Sequence, residues 1–404
     1  MQVVHPRCCG LDVHKRSVVA CVLSPNGRQT RTFGTTTAQV LELADWLVSE
    51  GVTHVAMEST GVYWRPIYNV LECTELSLLV ANARHIKAVP GRKTDVKDAE
   101  WIADLLRHGL LKASFVPDRA QRELRDLLRY RTALIRNRAQ VGHRIEKTLE
   151  AANIKLGAVV TDLLGKSGRA MLAALAAGEE DPEVLANLAH GRLHRKHAEL
   201  CTALHGVVGS HQRLVLQSHL RHLAFLDEEI ERLSAEVTER LRPHHEAFER
   251  LDTIPGVGPR VAEALLAEIG PDLARFPSAA HLASWARVCP GLAESAGKRR
   301  SGRIGPGNPW LRGVLVEAAW GASHTKDTYL AAQYRRLVAR RGVKRALVAL
   351  AHTILVIVYQ LLRRKTTYTD LGGNYFDERR REAAVHHSIQ RLERLGYQVS
   401  LQAT

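Results

Sequence analysis

Hydrophobic and polar positions alternate over residues 7–35 in runs of strand length, 8–12, 17–23 and 29–33, with Pro25-Asn26-Gly27 as a hairpin turn signal. From residue 37 the spacing lengthens to that of a helix. Val40, Leu43, Ala44 and Leu47 share one side of residues 37–50, and Gly51 follows as a C-cap. Short apolar runs at 52–57 and 76–81 predict two more strands, separated by a helix over 63–73. A further helix is predicted over 98–108, with Thr94 or Asp95 as its N-cap.

Pro117 breaks the chain, and a long helical segment follows. Residues 119–150 hold nine Lys+Arg and four Asp+Glu, with Leu124, Leu127, Leu128, Leu134, Val141, Ile145 and Leu149 along one side. This pattern predicts one packed face and an arginine-rich face in water, available to nucleic acid or to another subunit. Residues 160–245 stay helical in pattern, with loops expected at 178–182 and 205–211, and no chemistry is expected of them. The most apolar stretch, 346–359, is too short to span a bilayer and carries His352 and Thr353, so it reads as a core helix.

Candidate chemistry sits where the first elements end. Asp12 closes the first strand, Glu58 follows the strand at 52–57, and Asp95 and Asp98 lie at the start of the helix over 98–108. In an α/β layer such points face one cleft beyond the carboxyl ends of the strands. Asp95 and Asp98 are spaced to share one face of a helical turn, although capping alone also accounts for acids there. Carboxylates crowded together repel unless cations lie between them, and oxygen-only ligation selects Mg²⁺ or Mn²⁺. Two such ions about 3.5–4 Å apart clamp the attacking and leaving oxygens of a phosphodiester. A meander followed by α, β, α, β, α is also the ribonuclease-H-like order, which distributes acids in this way.

Composition points to a polyanionic partner. The chain of 404 residues carries 57 Lys+Arg against 42 Asp+Glu, a formal net charge of +15. That excess concentrates nucleic acid and makes its binding salt-dependent. Six cysteines, Cys8, Cys9, Cys21, Cys73, Cys201 and Cys289, form no CxxC pair and accompany no paired histidine spacing. Neither a zinc site nor a disulfide framework is expected from them. No signal-peptide core opens the sequence, which reads as cytoplasmic and without a membrane partner.

A second region of chemistry begins near Leu251. Ile254-Pro255-Gly256-Val257-Gly258-Pro259 has the helix-hairpin-helix pattern, in which Gly256 and Gly258 let backbone N–H groups reach a phosphate. An ordinary turn between two helices uses the same residues. Residues 291–308 read as a glycine-rich basic loop with Lys298, Arg299, Arg300 and Arg303, after which Asn308 caps a helix carrying Arg312. Ser295 and Ser301 lie within it. Taken alone, each is more simply a phosphate-binding or loop residue than a nucleophile.

Asp12-Val13-His14-Lys15, Met57-Glu58-Ser59-Thr60-Gly61 and Lys93-Thr94-Asp95-Val96-Lys97-Asp98-Ala99 come in this order, ahead of the helix-hairpin-helix and the basic stretch. Together they strongly resemble the DEDD transposases of the insertion sequence IS110 family, which are related to pilin-gene invertases and described as bridge-RNA-guided recombinases. The resemblance covers residues 8–115 and 250–365. It implies a RuvC-like, ribonuclease-H-fold first domain whose Asp12, Glu58, Asp95 and Asp98 bind Mg²⁺. It also implies a C-terminal transposase domain whose serine, Ser295 by register, becomes covalently joined to DNA. Ala296 and Pro306 depart from the family pattern, which commonly has a glycine and a basic residue there.

The expected class is therefore α/β plus all-α. Residues 1–117 form the RuvC-like DEDD catalytic domain and 118–247 a helical, coiled-coil region. Residues 248–375 form the helical transposase domain with its helix-hairpin-helix, and 376–404 a tail that matches nothing. The expected partners are donor and target DNA, a structured guide RNA, and further copies of the chain as a dimer or tetramer. The four acids and Ser295 are far apart in sequence, so the two domains are expected to close on each other. Two alternatives stay open: a metal-only resolvase-like nuclease without a covalent intermediate, and a non-catalytic nucleic-acid-binding protein.

Overall fold

A computed structural model describes residues 2–59, 61–83, 86, 98–290, 293–295, 298–301, 304–305, 307–379 and 381–400. The chain divides into two compact units, Met1–Pro117 and Asp118–Thr404. The expectation of an α/β part followed by a helical remainder is borne out.

The first unit holds one five-stranded mixed sheet. β1 (Cys8–Val13), β2 (Ser17–Ser24) and β3 (Gly27–Gly34) form an antiparallel meander; β4 (His54–Glu58) and β5 (Ser77–Ala81) extend it in parallel. The strand order is β3-β2-β1-β4-β5. Helices α1 (Thr37–Ser49), α2 (Trp64–Leu71) and α3 (Asp98–Arg107) cover it. Alternation along the strands sorts the side chains onto two faces. Cys9, Leu11, Val55 and Met57 pack with Leu43, Leu47, Ile67 and Leu71 of α1 and α2. Cys8, Cys21, Ala56 and Ala81 pack with Ala99, Ile102, Ala103 and Leu106 of α3.

The contact of α3 with β1 depends on Gly10. A Cβ on Gly10 would stand 2.3 Å from both the Ala103 nitrogen and the Ala99 carbonyl oxygen. Only a residue without a side chain lets the helix backbone come this close. The helix then runs back along the strand. The Cys8 thiol donates to the Ala103 carbonyl at 3.6 Å, and the Arg107 carbonyl accepts from Val4 and His5. The first turn of α3 is thereby brought to the carboxyl end of β1.

In the second unit, α4 (Arg119–Ala151) opens at Asp118, whose side chain accepts from the Gln121 amide. Short helices α5 (Leu156–Val159), α6 (Lys166–Ala177), α7 (Pro182–Ala186) and α8 (His197–Leu204) follow, with a 3₁₀ turn over Gly191–Lys196. The long α9 (Ser210–Leu241) returns along α4, and Val141, Ile145, Leu149, Leu216, Leu223 and Leu226 share one core. Beyond it come α10 (His245–Asp252), α11 (Pro259–Ile269), α12 (Ala279–Ala286), α13 (Pro309–His324), α14 (Tyr329–Arg341) and α15 (Val343–Arg364). The last helices are α16 (Tyr375–Arg379) and α17 (Arg381–Arg394).

Two expectations need revision here. The arginines of α4 are not all on a watered face. Arg125 and Arg131 are buried, and with Arg129 they pair inward with Glu263 and Glu268 of α11. The leucine pattern located the packed face, but the partner acids come from a helix more than a hundred residues away. The basic stretch expected as a loop also contains a hairpin of β6 (Ala293–Ser295) and β7 (Lys298–Ser301), in which Ser295 pairs with Lys298.

The apolar stretch expected to be too short for a bilayer extends into the 22 residues of α15, long and apolar enough to cross a membrane by length and composition. Ala346, Leu350, Ile354, Leu355 and Val358 are nevertheless buried against neighbouring helices, as the reading of a core helix required.

Candidate active site

The strand register makes the ends of β1 and β4 neighbours. β1 and β4 are parallel, with Gly10 opposite Ala56 and Leu11 opposite Met57. Continued by one residue, that register reaches Asp12 and Glu58. Leu11 and Met57 face α1 and α2, so the next residue on each strand turns to the α3 face. Both acids are half-buried. Asp98 opens α3, and the antiparallel run of that helix over Gly10 brings it to the same edge of the sheet. It is exposed there, in the first turn, where the helix dipole favours a negative charge.

Asp95 lies outside the described residues. The ends of β1 and β4 and the start of α3 place the three described acids at one end of the sheet; carboxylate oxygens are the donors that suit a hard divalent cation, and among the described residues these three do not draw within 4.8 Å of one another. The approach of α3 that Gly10 permits is what brings the third acid to this edge.

One neighbour was not assigned a role from sequence. His14 Nε2 lies 3.0 Å from Asp12 Oδ2, and the histidine is exposed. The spacing of two residues at a strand end is a usable signal, since it puts both side chains on the same side. The pair gives the Asp12 carboxylate a hydrogen-bonding neighbour.

The residues singled out in the second unit meet different fates. Gly256 has φ +83°, and a Cβ there would stand 2.3 Å from the Ala318 carbonyl and 2.4 Å from the Ala322 nitrogen of α13. Its lack of a side chain is thus used within the fold. Gly258 precedes Pro259 as the N-cap of α11, exposed and with open space around it. Asn308 Oδ1 accepts from the amides of Trp310 and Leu311 at 3.0 and 3.2 Å, the cap expected from sequence. Its amide nitrogen donates to Glu268.

Arg312 is half-buried on α13. The guanidinium groups of Arg129 and Arg136 lie 5.8 and 5.2 Å from the Trp310 ring centroid. Ser295, Lys298, Arg299 and Arg300 are described through their backbone alone, and Arg303 lies outside the described residues.

Comparison with known proteins gives this arrangement a context. The DEDD transposase family of IS110, described as a transposase, matches residues 9–154. A second, described as the transposase IS116/IS110/IS902 family, matches residues 248–335. The transposase for insertion sequence element IS1111A of Coxiella burnetii is 25% identical over 368 residues, 89% of this chain and 90% of that protein. The insertion element IS900 uncharacterized 42 kDa protein of Mycobacterium paratuberculosis is 28% identical over 328 residues, 72% of this chain and 80% of its own. The insertion element IS110 uncharacterized 43.6 kDa protein of Streptomyces coelicolor is 32% identical over 158 residues, 38% of each chain.

Proposed function

This chain belongs to the IS110 family of transposases, enzymes that act on DNA, and we propose that it cuts and rejoins DNA through a phosphoserine bond at Ser295. Membership in a DEDD family implies a divalent metal. In our reading Asp12, Glu58, Asp95 and Asp98 hold Mg²⁺, with Mn²⁺ as a substitute. The observation that supports this reading is the packing of α3 over Gly10, with the ends of the parallel strands β1 and β4 beside the start of that helix. A meander continued by two parallel strands supports reading the first unit as a RuvC-like, ribonuclease-H-like domain.

Bound there, the metal would supply Lewis-acid polarisation of the phosphate and favour an ionised oxygen nucleophile. The work left to the chain is to form and release the ester. Ser295 Oγ gives up its proton and attacks phosphorus, and the displaced DNA oxygen takes up a proton as a hydroxyl. The new Ser–O–P bond keeps the energy of the phosphodiester, so a DNA hydroxyl can later reverse the step without ATP. Lys298, Arg299, Arg300 and Arg303 offset the charge that grows on the phosphate oxygens. Gly256, Gly258, Asn308 and Arg312 would position the DNA backbone.

Site choice falls to a structured guide RNA, whose base pairing with donor and target DNA leaves the protein to read backbone and shape. Joining two duplexes requires a dimer or tetramer. The assignment of parts is a catalytic domain over 1–117, a helical, coiled-coil region over 118–247, a transposase domain over 248–375 and a tail over 376–404. The enzyme works in the cytoplasm.

The decisive experiment is to trap the reaction by denaturation and map the peptide joined to DNA. The expected peptide contains Ser295, is absent from Ser295→Ala, and is absent from Asp12→Asn and Glu58→Gln proteins that still fold. An adduct at Ser301 would move the nucleophile. Cleaved DNA with free ends and no adduct would make the protein a metal-only nuclease.

A further inference from the structure

The middle of the second unit brings together three side chains that neither the acid set nor the serine region uses. Glu183 comes from α7, and His197 and Cys201 stand one turn apart on α8. One ligand atom from each lies within 4.8 Å of the others. Both helices are held firmly: Leu185 and Ala186 of α7, and Leu200 and Leu204 of α8, belong to the same buried core. The Asp181 side chain accepts from the Glu183 amide at 2.9 Å and fixes the start of α7.

The protonation of His197 follows from its neighbours. Its Nε2 lies 3.0 Å from the Asn187 carbonyl oxygen Oδ1, an acceptor, so Nε2 carries the proton. That leaves the lone pair on Nδ1, which lies 3.5 Å from Cys201 Sγ. With zinc bonds of about 2.3 Å to sulfur and about 2.0 Å to nitrogen, a tetrahedral site spaces S and N by about 3.5 Å. The Glu183 carboxylate is 3.6 Å from Nε2 and completes the group within 4.8 Å, and it is exposed while His197 and Cys201 are half-buried. Asn187 thus plays the part of the outer partner that orients a histidine ligand.

We propose that Glu183, His197 and Cys201 bind a zinc ion, with water at the fourth position. A thiolate, an imidazole and a carboxylate make a borderline-soft donor set that suits zinc and departs from the oxygen-only set of the acids at the sheet edge. On binding, the Cys201 thiol proton passes to solvent, the S–Zn and N–Zn bonds form, and no electron is transferred. The ion would tie α7 to α8 across the 3₁₀ turn over Gly191–Lys196 and brace the helical region. The histidine–cysteine pair is spaced as one helical turn, which a search for CxxC passes over.

Cobalt(II) titration of the full chain tests the site, because only a thiolate ligand gives a sulfur-to-cobalt charge-transfer band. Carboxylate sites elsewhere in the protein are silent in that readout. The band should form in the native protein and in Cys73→Ser, vanish in Cys201→Ser and be displaced by zinc. Asn187→Ala should weaken binding about tenfold or more. Zinc should raise the unfolding temperature of the native protein by more than that of Cys201→Ser, circular dichroism showing both folded. No band in the native protein, or a band that survives Cys201→Ser, overturns the proposal.

Discussion

Arg129 and Glu268 meet edge to edge, with Nε and Nη2 of the guanidinium donating to the two carboxylate oxygens at 2.8 and 2.9 Å. Bidentate pairing of this kind fixes orientation as well as charge. Arg125 joins the pair, donating from Nε to the Ala267 carbonyl at 2.9 Å and from Nη2 to the Glu268 carbonyl. Its charge sits where the end of α11 exposes carbonyl oxygens. Asn308 donates to the same carboxylate while capping α13. Glu268 therefore ties α4, α11 and the start of α13 together, immediately after the segment that carries Ser295.

The first prediction follows from the burial of that cluster. Glu268→Ala leaves the buried Arg125 without its carboxylate and should lower stability by about 3–5 kcal/mol. Chemical denaturation checks it. A loss below about 1 kcal/mol, the size of a surface pair, would show that the cluster is not stabilising. Arg129→Ala combined with Glu268→Ala should cost less than the sum of the two single changes, since the two groups act as one.

Gly10 gives a prediction that keeps every acid in place. A methyl group there would meet backbone atoms of Ala99 and Ala103, which cannot swing aside as a side chain would. Gly10→Ala should destabilise the first unit by about 1–3 kcal/mol through overpacking. It should also reduce metal-dependent DNA cleavage, because α3 carries Asp98 away with it. Gly313, exposed in α13 with open space around it, is the control. Alanine there should stabilise by about 0.5–1 kcal/mol. Normal cleavage by Gly10→Ala would separate the position of α3 from function.

Much of the first unit was legible because its signals are local. Two-residue alternation, the turn at Asn26-Gly27 and the ends of apolar runs locate β1 to β5, and with them Asp12 and Glu58. That the ends of β1 and β4 are neighbours needed the parallel register, which pairs residues more than forty positions apart and leaves no trace in local pattern. The same limit hid Glu263 and Glu268 as the partners of the α4 arginines. It also hid the packing of Gly256 on α13, a second use for a glycine that the turn already explained. His14 beside Asp12 was within reach, since two residues at a strand end share a side.

The buried thiols of the sheet set a pH dependence. Burial pushes Cys8 up from 9.0 to about 11, and it raises Cys9 and Cys21 as well. The folded state therefore holds these protons more tightly than the unfolded chain. Their contribution to stability is complete below pH 9.0 and is lost as pH rises through about 11. Unfolding midpoints measured across that window should fall, and Cys8→Ala should flatten the fall. In the native protein at neutral pH a thiol reagent should reach the exposed Cys73 and leave Cys8, Cys9 and Cys21 unmodified until unfolding. Rapid native labelling of Cys9 would contradict its burial.

The last prediction concerns the corner where α14 meets α15. Arg335, Arg340, Arg341, Lys344 and Arg345 are exposed there around Gly342, a concentration of positive charge suited to a phosphate backbone. Arg336 differs, since it pairs with Asp377 at 3.7 Å and covers the Phe376 ring at 5.0 Å, holding α16. Changing Arg340, Arg341, Lys344 and Arg345 together to glutamate should weaken binding to DNA of any sequence. If each cation neutralises one phosphate, the slope of log K against log salt should shrink by roughly three to four. Arg336→Glu should loosen α16 and alter that slope by no more than about one. A slope unchanged by the fourfold reversal would assign this corner to solvent or to another protein surface, and would shift the search for the DNA path to the exposed Arg119, Arg136, Arg144 and Lys147 of α4.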